Sequence, residues 1–150
     1  MKSISLRFAE KYSPSCWSIQ AHQDVINSHG FVWYGKFGNA PKDSVMEQIL
    51  CQENPKILLI HSGGTERYWA TITEFTKEIP QREFMPEYYQ TILDRMKSWF
   101  KVIAFEKAEK DVMAHCIVSS SGNSLTSASI HSMSPYFVIE YKRTSIEGIL

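Results

Sequence analysis

Lys56-Ile57-Leu58-Leu59-Ile60-His61 is an unbroken apolar run that follows Pro55, the pattern of a strand buried on both faces. The residues after it, Ser62-Gly63-Gly64-Thr65-Glu66, are turn formers, and strand-forming residues resume from Arg67 to Phe75. Two such runs joined by a Gly-containing turn make an antiparallel hairpin. The hairpin commits the chain to a sheet, and the flanking segments decide what kind.

Towards the N-terminus, Val45, Met46, Ile49 and Leu50 are spaced for one face of a helix that Asp43 or Ser44 caps. Phe31 to Phe37 is rich in β-formers and closes in Gly38-Asn39-Ala40-Pro41, which reads as a strand and a loop. Cys16 to Gln20, with Trp17 and Ile19 alternating against polar neighbours, reads as a short strand, followed by a helix over Gln23 to Ser28 that Gly30 stops. Residues 1–14 are mixed in character and end in Ser13-Pro14, so they read as a lead-in.

Towards the C-terminus, residues 76–87 contain Pro80 and Pro86 and read as a surface loop, after which Tyr88, Ile92, Met96 and Trp99 share one face of a helix from Glu87 to Trp99. Phe100 to Glu106 is a strand, Asp111 to Val118 a turn with a short strand, and the serine-rich stretch 119–135 a loop. Tyr136 to Tyr141 is the last strand, and 142–150 forms a tail with a short helix. Five to six short strands with interspersed short helices imply an α+β fold, a curved or closed antiparallel-rich β-barrel with helices packed around it, as a single domain over 1–150. A doubly wound parallel sheet needs longer crossover helices than these segments supply.

Composition limits the functions available. The 150 residues carry 16 Lys+Arg against 16 Asp+Glu, with 43% apolar, 13% aromatic and 21% charged residues, far from the signature of disorder. A net charge of zero argues against sequence-independent binding of nucleic acid over a broad basic face, because that affinity comes from Lys and Arg neutralising phosphates. No apolar run reaches the ~18 residues of a membrane helix and the N-terminus lacks an apolar signal core, so a soluble, cytoplasmic protein is expected. Cys16, Cys51 and Cys116 have no C-x-x-C spacing and read as reduced thiols.

The chain has no G-x-S-x-G elbow, no G-x-x-x-x-G-K-[ST] loop and no G-x-G-x-x-G turn, so no catalytic motif announces an enzyme. His115 and Cys116 are the one adjacent His and Cys, and neighbours on a strand point to opposite faces, which argues against a metal site. No cofactor is expected. The distinctive feature is aromatic. Trp33 and Tyr34 lie in a strand that runs into Gly35-Lys36-Phe37-Gly38, where rings and a cation stand beside backbone that a ligand can approach closely. Trp33 reads either as core or as one wall of a ligand site, since an aromatic wall stacks on a planar base at roughly 1–3 kcal/mol.

The order of segments resembles the PUA-like superfamily, in particular its EVE and YTH branch of modified-base readers. The resemblance is carried by Trp17-Ser18-Ile19-Gln20, by Gly30-Phe31-Val32-Trp33, by Lys56 to Ser62 with Gly64, by Trp69-Ala70-Thr71-Ile72 and by Trp99-Phe100-Lys101-Val102. It implies a PUA-like barrel in which Trp33 is the first wall of an aromatic cage around a methylated base and Tyr34 offers main-chain groups to the base edge. By the same resemblance the pocket includes Ser18, Gln20, Ala21 and His22, with Gln20 or His22 hydrogen-bonding the base; the alternative is that these two face solvent and cap the following helix. The second cage aromatic would be Phe84, Tyr88 or Tyr89. The family's basic loop near the C-terminal end has only His131 here, so phosphate contacts would fall to Lys36, Lys42, Arg67, Arg82 or Lys101.

The resemblance implies a binding module for DNA or RNA that carries a modified base, such as N6-methyladenine or a 5-modified cytosine, flipped into the pocket. Such modules resemble the specificity domains of modification-dependent restriction systems, which makes an effector domain or subunit an expected partner. Two other readings stand beside it. The related ASCH group includes small hydrolases of modified nucleosides, but its G-x-K-x-x-E-x-R motif is absent. An interaction domain would use an exposed apolar patch larger than a few hundred Å². The reader hypothesis requires the Trp33 indole to face a cavity that takes one planar heterocycle.

Overall fold

The computed structural model describes residues 1–8, 18–61, 66–132 and 134–142. The run that opened the sequence reading is β3 (Lys56–His61), with Ile57 to Ile60 all buried, and it pairs antiparallel with β4 (Arg67–Thr76) in the register Leu58↔Trp69 and Ile60↔Arg67. The turn between them, 62–65, lies outside the described residues. The other strands are β1 (Lys2–Phe8), β2 (Val32–Phe37), β5 (Met96–Lys107), β6 (Cys116–Val118) and β7 (Tyr136–Tyr141). Together they form one seven-stranded sheet in the order β2-β5-β4-β3-β1-β7-β6, with β3 at its middle. The β1–β3 pair is parallel and the other pairs are antiparallel.

Two expectations are corrected at once. The lead-in contains a central strand: β1 sits between β3 and β7, with Ile4, Leu6 and Phe8 on one face in the main core and Ser3 and Ser5 buried on the other. The period of two in Ile4, Leu6 and Phe8 is a legible strand signal, masked by the polar residues between them. The sheet has seven strands instead of five or six, and among the described residues no ladder joins its edges, so it is an open, mixed sheet and not a closed barrel. It is nevertheless strongly curled. Although β2 and β7 are far apart in strand order, the Lys36 ammonium lies 5.0 Å from the centroid of the Tyr136 ring. Side chains therefore meet across a gap that backbone pairing leaves open.

Helices cover both faces. Helix α1 (Ser18–His29) packs against β2 and β5, α2 (Asp43–Leu50) against β1 and β4, and α3 (Leu125–His131) against β6. Helix α1 starts earlier than its periodicity suggests, so Ser18 to Gln20, read as strand, are helical; Cys16 and Trp17 lie outside the described residues. The helix ends as expected at Gly30, whose φ of 87° suits the left-handed conformation that glycine tolerates. Neither Asp43 nor Ser44 caps α2. Lys42 holds the N-cap position without a side-chain bond, and Asp43 is the first helical residue. Helix α3 lies in the stretch read as loop, capped by Ser124, whose Oγ accepts from the Ser127 backbone N–H at 3.2 Å.

The helix expected over Glu87 to Trp99 is replaced by two 3-10 turns, Glu87–Thr91 and Leu93–Arg95, and by the start of β5. Tyr88, Ile92, Met96 and Trp99 do share one apolar cluster. Their spacing reports common burial, while pairing of Met96 with Phe37 and of Trp99 with Gly35 overrides the local helical period. The tail 143–150 lies outside the described residues.

Candidate functional site

Where the curled sheet fails to close, a cavity of about 260 Å³ opens. Leu6, Arg7 and Phe8 at the end of β1 form one wall, and Tyr34, Gly35, Lys36 and Phe37 of β2 form the opposite one. Tyr88, Tyr89, Ile92 and Met96 close one end, Ser134 and Pro135 ahead of β7 close another, and Ser18 reaches in from the start of α1. Among these described residues there is no Asp or Glu, whereas Arg7 and Lys36 both contribute.

Lys36 sits on the same side of β2 as Tyr34 and is 4% exposed. Its ammonium donates to the carbonyls of Phe37 at 2.9 Å and Asn39 at 2.7 Å. An ammonium has three N–H donors, and these bonds take two of them, with the Tyr136 ring 5.0 Å from the ammonium. Burial without a carboxylate beside it lowers its pKa to about 8, because desolvation disfavours the charged form. Arg7 donates through Nη2 to the carbonyls of Ser129 at 2.8 Å and Ser132 at 2.9 Å. The guanidinium ties β1 to the end of α3 and keeps a positive charge at the wall.

The floor is fixed by a buried hydrogen-bond chain. His22 is 1% exposed; its Nδ1 lies 2.7 Å from the Ser18 carbonyl and its Nε2 2.6 Å from the Tyr89 hydroxyl. A carbonyl only accepts, so the Nδ1 carries the proton and Nε2 accepts from Tyr89. The Tyr89 oxygen in turn accepts the Gly35 backbone N–H at 3.1 Å. Burial lowers the His22 pKa to about 4, against a smaller opposing effect of the Ser18 bond, and raises that of Tyr89 well above its usual value. Both groups are therefore neutral at pH 7, as the direction of these bonds requires. The chain links α1, the 3-10 segment and β2, and it holds the backbone of Gly35 at the cavity wall.

Of the residues singled out by sequence, the fold brings Ser18, Tyr34, Lys36, Tyr88 and Tyr89 to this cavity. Trp33 is not in its lining. It alternates to the other side of β2 from Tyr34 and packs, half-buried, against the cluster of Met85, Tyr89, Met96 and Trp99. His22 stands behind the wall and holds Tyr89. Gln20 is exposed and donates to Asp24 at 2.8 Å along the surface of α1, and Ala21 is outside the lining. Phe84 stacks at 4.8 Å on Phe31 and meets His29. The other proposed phosphate contacts are dispersed. Lys101 pairs with Glu74 and lies over Phe31, Arg82 pairs with Glu87, Arg67 donates to the Met113 sulfur and the Lys110 carbonyl, and Lys42 is exposed at the start of α2.

Sequence reasoning missed Arg7, Leu6 and Phe8, because β1 was unread, and Ser134 and Pro135, because nothing local says that the last loop returns to the first strand. No group of three His, Cys, Asp or Glu among the described residues is placed to hold a metal ion. No described helix is long and apolar enough to cross a membrane.

A curled α+β sheet with its cavity at the gap is the setting in which the family comparison falls. The Pua-like family model matches residues 4–134, most of the chain, and the protein belongs to that family. Pua-like domains often bind nucleic acids. Comparison with curated proteins gave no match, and comparison with solved structures gave none.

Proposed function

We propose that the protein is a nucleic-acid reader that takes a single modified base, flipped out of its strand, into the cavity between β1 and β2. The observation that carries this reading is a cavity of about 260 Å³ walled by Tyr34, Phe37 and Tyr88, with the Lys36 ammonium on its side. That volume is just under the ~300 Å³ at which pockets for drug-sized ligands begin, and suits one planar ring system. The rings supply stacking, and Lys36 offers its ammonium to an acceptor on the base edge. Trp33, on which the sequence reading made recognition depend, packs outside the lining, so a cage around Trp33 is ruled out and the proposal rests instead on Tyr34, Phe37 and Tyr88. Unstacking a base costs a few kcal/mol, which stacking and edge bonds recover.

Membership of the Pua-like family supports a nucleic-acid partner. The EVE/YTH resemblance supports a methylated base and, with it, service as the specificity module of an effector such as a restriction protein. The hydrolase alternative needs Lys, Thr and Glu converging on one point; the described lining offers Lys36 without Thr or Glu, and that reading draws no support from the site.

Titration with oligonucleotides bearing N6-methyladenine, 5-methylcytosine or no modification tests the proposal, followed by tryptophan fluorescence, since Trp99 packs against Tyr89 at 5.9 Å. One modified strand should bind more tightly than its plain counterpart, and Tyr88→Ala should weaken that binding about 5- to 150-fold, the equivalent of ~1–3 kcal/mol of stacking. Equal affinity for all strands would overturn the reading.

A further inference from the structure

A second, larger depression adjoins the cavity. It has a volume of about 820 Å³, and Ser134 and Pro135 line both. Seven of its fourteen described lining residues are Ser or Asn, among them Asn39, Ser120, Ser127 and Ser132; none is Lys, Arg, Asp or Glu, and Tyr136 and Phe137 supply rings. Two contacts bind it to the first cavity. The Asn39 carbonyl accepts from the Lys36 ammonium, and the Ser132 carbonyl accepts from Arg7.

We infer that this trough is the seat of the strand that carries the flipped base: the sugar-phosphate backbone and a neighbouring nucleotide, held by neutral hydroxyls and amides. The inference rests on the reading of the cavity as a base pocket. A base that enters the pocket brings its own backbone to the pocket's edge, and Ser134 and Pro135, which line both cavities, set the trough beside it. Ser and Asn side chains are ordinary partners of phosphate and sugar oxygens, and a ring such as Tyr136 stacks on any neighbouring base. The lack of Lys and Arg in the lining has a measurable signature. Few counterions are displaced, so affinity should depend weakly on salt, in contrast to a reader that grips phosphates with cations, where each contact adds about 0.7 to the slope for single strands.

Two ligand lengths and two variants test the inference. The modified nucleoside fits the cavity alone, whereas a seven-nucleotide single strand with the same modified base at its centre reaches the trough; N6-methyladenine and 5-methylcytosine are used for both. The strand should bind at least about tenfold more tightly than the nucleoside, with a slope of log Kd against log salt below about 1. Ser127→Glu and Ser120→Glu, at exposed positions where folding is checked by thermal melting, place a negative charge against the phosphates. Each should weaken strand binding about tenfold and leave nucleoside binding unchanged. Equal affinity of nucleoside and strand, or a strand indifferent to both substitutions, overturns the trough and leaves the pocket standing. A strand that binds while both nucleosides fail overturns the pocket reading instead, and failure of every ligand overturns both.

Discussion

His22 shows how a single side chain sets the geometry of the cavity without touching what enters it. Its two ring nitrogens are committed to Ser18 and Tyr89, and burial holds its pKa at about 4 against 6.5 for the free side chain. Between those values the unfolded chain binds more protons than the folded one, so stability falls as pH drops from about 6.5 towards 4. At ~1.36 kcal/mol per unit of pKa the loss reaches about 3 kcal/mol. Urea denaturation at pH 7 and at pH 4.5 should show most of that difference for the natural protein, and His22→Gln should show much less of it. Lys36 is the other informative residue. The resemblance makes it a phosphate contact because the loop near the C-terminal end offers only His131, whereas the fold buries it in the cavity wall with its ammonium on the Phe37 and Asn39 carbonyls.

At the scale of elements, the join between β2 and β5 decides whether the cavity has a wall. Gly35 faces Trp99 across that pair, and a Cβ on Gly35 would collide with the Met96 sulfur and stand 2.8 Å from the Trp99 ring. Gly35→Ala should therefore destabilise the protein by roughly 1–3 kcal/mol through overpacking, seen as a lowered urea midpoint, and should also weaken ligand binding because Gly35 donates to Tyr89. Close approach, and not backbone strain, explains this glycine.

The same strands show what the sequence made legible. β2, β3, β4 and β7 announced themselves through runs of β-formers, since each is bounded by turn residues or Pro. The helix expected at Glu87 to Trp99 failed because a spacing of three and four residues also arises when two 3-10 turns and a strand bury the same side chains against a neighbour far away in the chain. Half of the site followed the same logic. Tyr34, Lys36, Tyr88 and Tyr89 stand in segments with visible chemistry, while Arg7 and Ser134 matter only because β1 and β7 pair, and no local pattern encodes that pairing. The choice between Trp33 and Tyr34 was a matter of which side of β2 faces the gap, and alternation alone gives two sides without saying which one is open.

Over the whole molecule charge sums to zero, yet the described lining of the cavity carries Arg7 and Lys36 without a carboxylate. Lys56 with Glu106, Lys77 with Asp43, Arg82 with Glu87 and Lys101 with Glu74 form pairs on the surface. Cohesion depends on β1, whose Leu6 is 2% exposed in the main core. Leu6→Ala should cost about 2–5 kcal/mol, measured by chemical denaturation. It should also impair ligand binding, because Leu6 is part of the cavity wall.

That first strand lies between β3 and β7, and its partner in β7 is more than a hundred residues away along the chain. During translation β1 is made well before β7, so one of its flanks has nothing to pair with until Tyr136 to Tyr141 has been made. Throughout that interval the flank of β1 that faces β7 keeps its backbone donors and acceptors unpaired, and the cavity beside β1 gains its Ser134–Pro135 side only when β7 docks.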